Sequence, residues 1–111
     1  MDNPRIAIGT DEEERLSKNT FGHCQYFQVY EQNSAELTLL ETRENVLYKQ
    51  ACDTRGRAEH LHGLLGDVSI LIGSKFEGPT RKALEEDGHH CVVVKPDSLD
   101  KVLENLRNHI R

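Results

Sequence analysis

Apolar and polar positions along this chain fall into two periods, and the changes of period divide it into elements. Ile6-Ala7-Ile8-Gly9 is apolar on both faces, the pattern of a central strand covered on two sides. Asp11-Glu12-Glu13-Glu14 is a charge run that reads as a solvated loop. Between Tyr26 and Glu31, Phe27 and Val29 alternate with Tyr26, Gln28 and Tyr30. Gln32-Asn33-Ser34 is turn-forming, and Glu36 to Thr42 sets Leu37 and Leu39 on one face, so the two runs predict a β-hairpin. Asn45 to Gly56 shows no period and reads as a loop.

The period then lengthens. Ala58, Leu61, Leu64 and Leu65 mark a short amphipathic helix closing at Gly66, and Val68 to Ile72 follows as a second buried strand. Pro79 suits a first helical position; Ala83 and Leu84 face inward, and Gly88 caps the end. Cys91 to Val94 is a third apolar strand. Leu99, Val102, Leu103, Leu106 and Ile110 share one face of a last helix, with Asp97 or Ser98 as its cap. The predicted order is β-β-β-α-β-α-β-α. This describes one α/β domain over 1–111, with a core from about 5 to 107, a polar tail Met1–Pro4 and a mixed five-stranded sheet flanked by helices. The same order occurs in ribonuclease H-like folds.

Composition narrows the function classes. Of 111 residues 36% are apolar and 30% charged, which fits a thin core under solvated helices. A net charge of −5 argues against a nonspecific nucleic-acid binder, which needs surplus Lys and Arg. A local basic patch remains open to Arg55, Arg57, Lys75, Arg81 and Lys82. Cys24, Cys52 and Cys91 are odd in number and form no CxxC, so neither a zinc knuckle nor a redox pair is written here. The N-terminal stretch has no basic segment followed by an apolar one, so no secretory leader is expected, and no apolar run approaches the ~20 residues of a membrane span. A cytoplasmic protein with free thiols and no membrane partner is expected.

Three stretches carry candidate chemistry. Gly73-Ser74-Lys75-Phe76-Glu77-Gly78-Pro79 joins a strand to a helix. Helix-start amides attract anions, glycines let a ligand approach the backbone, and Lys75 and Arg81 add positive charge. Pro79 follows Gly78 where a P-loop has lysine, and on motif strength alone an ordinary strand-to-helix connection is the favoured reading of the stretch. Phe21-Gly22-His23-Cys24 offers a nitrogen and a thiolate to a soft metal or cluster. If Cys24 already begins a strand, the two side chains point to opposite faces and only one can ligate. In Cys52 to His62, His60 and His62 lie about 200° apart around a helix and flank its apolar face instead of clamping one ion, although Cys52 with one of them remains a possible pair. His89-His90 suit a helix C-terminus, and Cys91 reads as a small core residue.

Taken together, these pieces resemble the dinitrogenase iron–molybdenum cofactor biosynthesis family. The resemblance runs from Ile6 to about Leu106. It rests on Ile6-Ala7-Ile8 with Thr10-Asp11, on Phe21-Gly22 leading to Tyr26-Phe27 and Val29-Tyr30, and on the apolar strand before the Gly-Pro helix start. Gly88 with Val92-Val93-Val94 and the last amphipathic helix complete it. It implies a ribonuclease H-like domain and a non-catalytic carrier of an anionic metal–sulfur cluster, such as the iron–molybdenum cofactor or a precursor. Cluster-assembly or acceptor proteins are the implied partners. The candidate binding residues from these stretches are Thr10, Phe21, Gly22, His23, Cys24, Gly73, Lys75 and Gly78; with the family's own ligand histidine absent, metal ligation either shifts to His23 or Cys24 or the capacity for the cofactor is lost. The family's usual histidine before Phe-Gly is Thr20 here, its usual arginine after Phe-Gly is His23, and its His-rich central loop is reduced to His60 and His62. Two other readings stand beside the carrier: a protein-interaction module without cofactor, and a metal-dependent nuclease. The nuclease needs converging carboxylates, whereas the second and third apolar strands contain none.

Overall fold

The computed structural model describes residues 4–12, 15–34, 36–46 and 54–109. Strand β1 (Arg5–Glu12) is flanked on one side by the antiparallel hairpin β3 (Tyr26–Asn33) and β4 (Glu36–Glu44). On its other side lie the parallel strands β5 (Ile70–Gly73) and β6 (His90–Val93), giving the order β4-β3-β1-β5-β6. A two-residue strand β2 (Arg15–Leu16) pairs with the end of β1, through Thr10 with Leu16 and Glu12 with Arg15. Among the described residues the mixed sheet therefore has six strands, not the five expected, and the order gains β2 and a 3₁₀ turn at Phe21–His23. The charge run masked this strand: Leu16 is its one apolar residue and is buried on the sheet.

Strict alternation builds two cores. Ala7, Phe27, Val29, Leu71 and Cys91 point to the face covered by α1 (Thr54–Leu65) and α2 (Gly78–Glu86), through Leu61, Leu65 and Leu84. Ile6, Ile8, Tyr30, Leu37 and Ile72 point to the other face, where α3 (Leu99–His109) lays down Leu99 and Val102, with Leu103 and Leu106 partly buried. Ser98 Oγ accepts from Lys101 N–H and caps α3, as expected; Ile110 lies outside the described residues.

Other boundaries shift from the expected ones. Helix α1 begins at Thr54, inside the stretch read as loop, while residues 47–53, including Cys52, fall outside the described residues. Pro79 is the second residue of α2 rather than the first. Strand β5 begins at Ile70, and Val68 packs in the core before it. Leu37 is buried while Leu39 is 51% exposed on the edge strand, although alternation put both on one face. Gly88, at φ +99, ends α2 in the left-handed region that favours glycine.

Candidate functional site

At β1 the chain reverses its progress across the sheet, with the hairpin to one side and β5 and β6 to the other. In open α/β sheets ligands bind beyond the C-terminal ends of the strands at such a switch point. Two loops meet there, and they are the two glycine-bearing stretches singled out in the sequence. A bridge joins Thr20 to Lys75, and Phe21 N–H donates to the Lys75 carbonyl at 2.9 Å. The Phe21 ring stacks on Phe76 with centroids 4.9 Å apart and tilts against Phe27 at 4.8 Å.

The cleft between the loops is small, about 10 Å³, little more than the space of one water molecule. Thr20 to His23 form one wall, Phe76, Glu77 and Thr80 the other, and α1 contributes Arg57. Arg57 is only 4% exposed and donates from Nη1 to the Gly22 carbonyl at 3.0 Å. A Cβ on Gly22 would stand 2.9 Å from Arg57 Cδ, so glycine is what admits the arginine stem. His23 is half-buried, with Nε2 3.8 Å from Glu77 Oε1 across the cleft.

The eight binding candidates separate into two groups. Phe21, Gly22 and His23 line the cleft, Lys75 is exposed beside it, and Gly78 opens α2 with free space where a side chain would be. Thr10, Cys24 and Gly73 are buried. Thr10 shares the β1 parity of Ile6 and Ile8, on the α3 side of the sheet. Gly73 lies under the Phe21 ring, where a Cβ would approach Cδ1 to 3.1 Å, so its glycine serves packing and not ligand access. Cys24 is 1% exposed, and its Sγ would lie 2.5 Å from a Cβ on Gly9. Burial pushes the Cys24 thiol up to about 12. It donates to the Thr20 carbonyl at 3.6 Å. His23 and Cys24 thus do not form one ligand pair: the imidazole faces the cleft and the thiol faces the core.

Of the five residues of the expected basic patch, two are ion-paired and Arg57 is buried. Arg55 pairs with Glu59, and Arg81 with Glu85 at 3.3 Å. Arg81 also sits 5.9 Å from the Phe76 ring centroid. Asp11 acts as a loop staple: its carboxylate accepts from Ser17 Oγ at 2.6 Å, Asn19 Nδ2 at 3.0 Å and Gln25 N–H at 3.1 Å.

Sequence reasoning passed over Arg57 and Asn45 as structural members of the site. Arg57 precedes Leu61 by one turn on the buried side of α1, a spacing that marks it as a buried cation. Asn45 is fully buried; its Nδ2 donates to the carbonyls of Gly22 at 3.1 Å and Cys24 at 2.7 Å, while His60 Nε2 lies 2.9 Å from its Oδ1. An asparagine ending a strand carries no signal of that role.

The class defined so far is a small mixed α/β domain with a cleft at the switch point of its sheet. The chain belongs to the dinitrogenase iron–molybdenum cofactor family, whose model matches residues 3–109. No curated protein matches it. Among solved structures it is similar to the apo form of the orange protein from Desulfovibrio gigas, with a TM-score of 0.76, 14% identity and coverage of 96% of this chain and 89% of that one. It is also similar to a Thermotoga protein named for NifB, at TM-score 0.69 and 18% identity over 97% and 89% of the two chains. A Methanocaldococcus jannaschii protein carrying a dinitrogenase name matches at 0.67 and 16%, over 98% and 92%. At these identities the likeness is one of fold. Among the described residues no helix is long and apolar enough to cross a membrane.

Proposed function

We propose that this chain is a non-catalytic, cytoplasmic carrier of an anionic metal–sulfur cluster, such as the iron–molybdenum cofactor or a precursor, on a ribonuclease H-like domain. The observation that carries the reading is the joining of the Thr20–Cys24 and Gly73–Gly78 loops into one cleft, with His23 on its wall. Membership of the iron–molybdenum cofactor family supports it. His23 supplies the ligand nitrogen, Lys75 and the start of α2 offset the cargo's negative charge, and the partly buried Phe76 presents apolar surface to its sulfurs. Cys24 drops out of the ligand set because its thiol is buried in the core and faces away from the cleft.

A cleft of about 10 Å³ admits no cluster, so the cargo rests across its mouth, where His23 is accessible. Glu77 stands against an anion at that place. Together with Thr20 in the position of the family's histidine, it favours the second reading, an interaction module that kept the fold without the cargo.

Anaerobic purification, elemental analysis and visible spectra before and after offering a molybdenum–iron–sulfur cluster separate the two. Stoichiometric uptake by the wild type, lost in His23→Ala and kept in Cys24→Ser, is the expected result. Absence of uptake by folded wild type sinks the carrier reading.

A further inference from the structure

At the opposite end of the sheet, where β5 and β6 begin, two imidazoles face each other. His62 lies in the last turn of α1, and His89 lies between α2 and β6. His62 Nδ1 is 2.9 Å from His89 Nε2, with ring centroids 5.1 Å apart and planes at 73°. His89 is 5% exposed, and its Nδ1 is 2.8 Å from the Val68 carbonyl. A carbonyl only accepts, so His89 Nδ1 carries the hydrogen and donates. In the neutral ring, Nε2 is then a lone pair aimed at His62. The hydrogen between the rings belongs to His62 Nδ1.

An imidazole whose far N–H is held by a backbone carbonyl, and whose near nitrogen presents a lone pair, is oriented as metal-bound histidines are. Two nitrogens each about 2.0–2.1 Å from one ion, at right angles, stand about 2.9 Å apart. That is the separation here. We propose that His62 and His89 form a binding site for a late divalent transition-metal ion, Ni²⁺ or Cu²⁺, which imidazole prefers over Mg²⁺ or Ca²⁺.

On loading, the His62 hydrogen moves from Nδ1 to Nε2. Both rings stay neutral, both near nitrogens ligate, and no proton is released. His62 turns off the line joining the rings to admit the ion, which its exposed position on α1 permits. His89 stays fixed by Val68. Among the described residues no group of three or more His, Cys, Asp or Glu side chains is placed to hold a metal, so water completes the coordination. His60, two residues before His62, is engaged by Asn45 and takes no part. The site is independent of the cleft and of its proposed cargo.

The test is titration of the untagged full chain with Ni²⁺ alone, read by equilibrium dialysis and by the shift in Tm. One equivalent is expected to bind and raise Tm. His62→Gln, at an exposed position, should weaken binding by about tenfold or more and abolish the Tm rise, while His23→Ala should keep both. His89→Gln is a second probe if it folds, and His62→Gln decides alone if it does not. Failure of folded wild type to bind Ni²⁺, unchanged affinity in His62→Gln, or loss in His23→Ala would each overturn the site.

Discussion

His23 and Cys24 are neighbours in sequence and opposites in chemistry. The backbone turns between them, so one side chain meets the cleft and the other the core. Burial pushes the Cys24 thiol up to about 12 and the Cys91 thiol up to about 11, so both stay protonated and inert at neutral pH. Alkylation at pH 8 followed by mass spectrometry should leave both peptides unmodified in the native protein and label both in denaturant. Phe21 is 1% exposed and is both cleft wall and core residue. Phe21→Ala should cost about 3–5 kcal/mol in denaturant unfolding, the range for deleting a buried aromatic. The two loops that meet at the cleft were legible in sequence because glycines and a histidine between apolar runs are chemically distinct. Which glycines serve packing was not, because that depends on a ring arriving from another loop.

The strongly patterned elements were readable and the weakly patterned ones were not. α3 follows its period closely, since it buries one continuous face, whereas a register shift at Val29/Tyr30 breaks the alternation of the β3–β4 hairpin and Leu39 is left exposed. β2 and the first turn of α1 are polar in composition and gain their structure from pairing and docking, which no local period records. α1 is tied to the cleft loop by Arg57 and through Asn45. Asn45→Ala leaves carbonyls of Gly22 and Cys24 without this donor and should cost about 1–3 kcal/mol. Burial, then the Arg57 charge, holds the His60 imidazole below its ordinary value. The unfolded chain therefore takes up that proton first as pH falls, and stability declines through and below about pH 6.5. Urea midpoints from pH 8 to 5 should fall less steeply in His60→Gln than in wild type.

Over the whole molecule, Asp67 ties together parts of the chain that sheet pairing does not join directly. It accepts from Arg43 of β4 at 2.7 and 2.8 Å and from Arg5 of β1 at 2.5 Å, while Arg43 also donates to the Leu64 carbonyl at 2.9 Å. The Arg43 guanidinium, with Arg5, holds the Asp67 carboxyl well below the usual carboxylate range. That contribution is complete above the unfolded value and is lost as pH falls below it. Asp67→Asn should lower Tm at pH 7 modestly, because the group is 43% exposed, and should flatten the acid limb of the stability curve below about pH 4.

The stacked Phe21 and Phe76 carry a consequence for uptake. The wall a cargo would have to push aside is also what seals the α1–α2 side of the core. Widening the cleft to admit something larger therefore draws on the folding free energy itself. A tightly held cargo would have to return that energy through its own contacts, and a weakly held one would leave behind a softened domain. In such a protein, affinity and foldedness are two readings of one balance, so amide exchange around Phe21 would report loading as directly as a colour change.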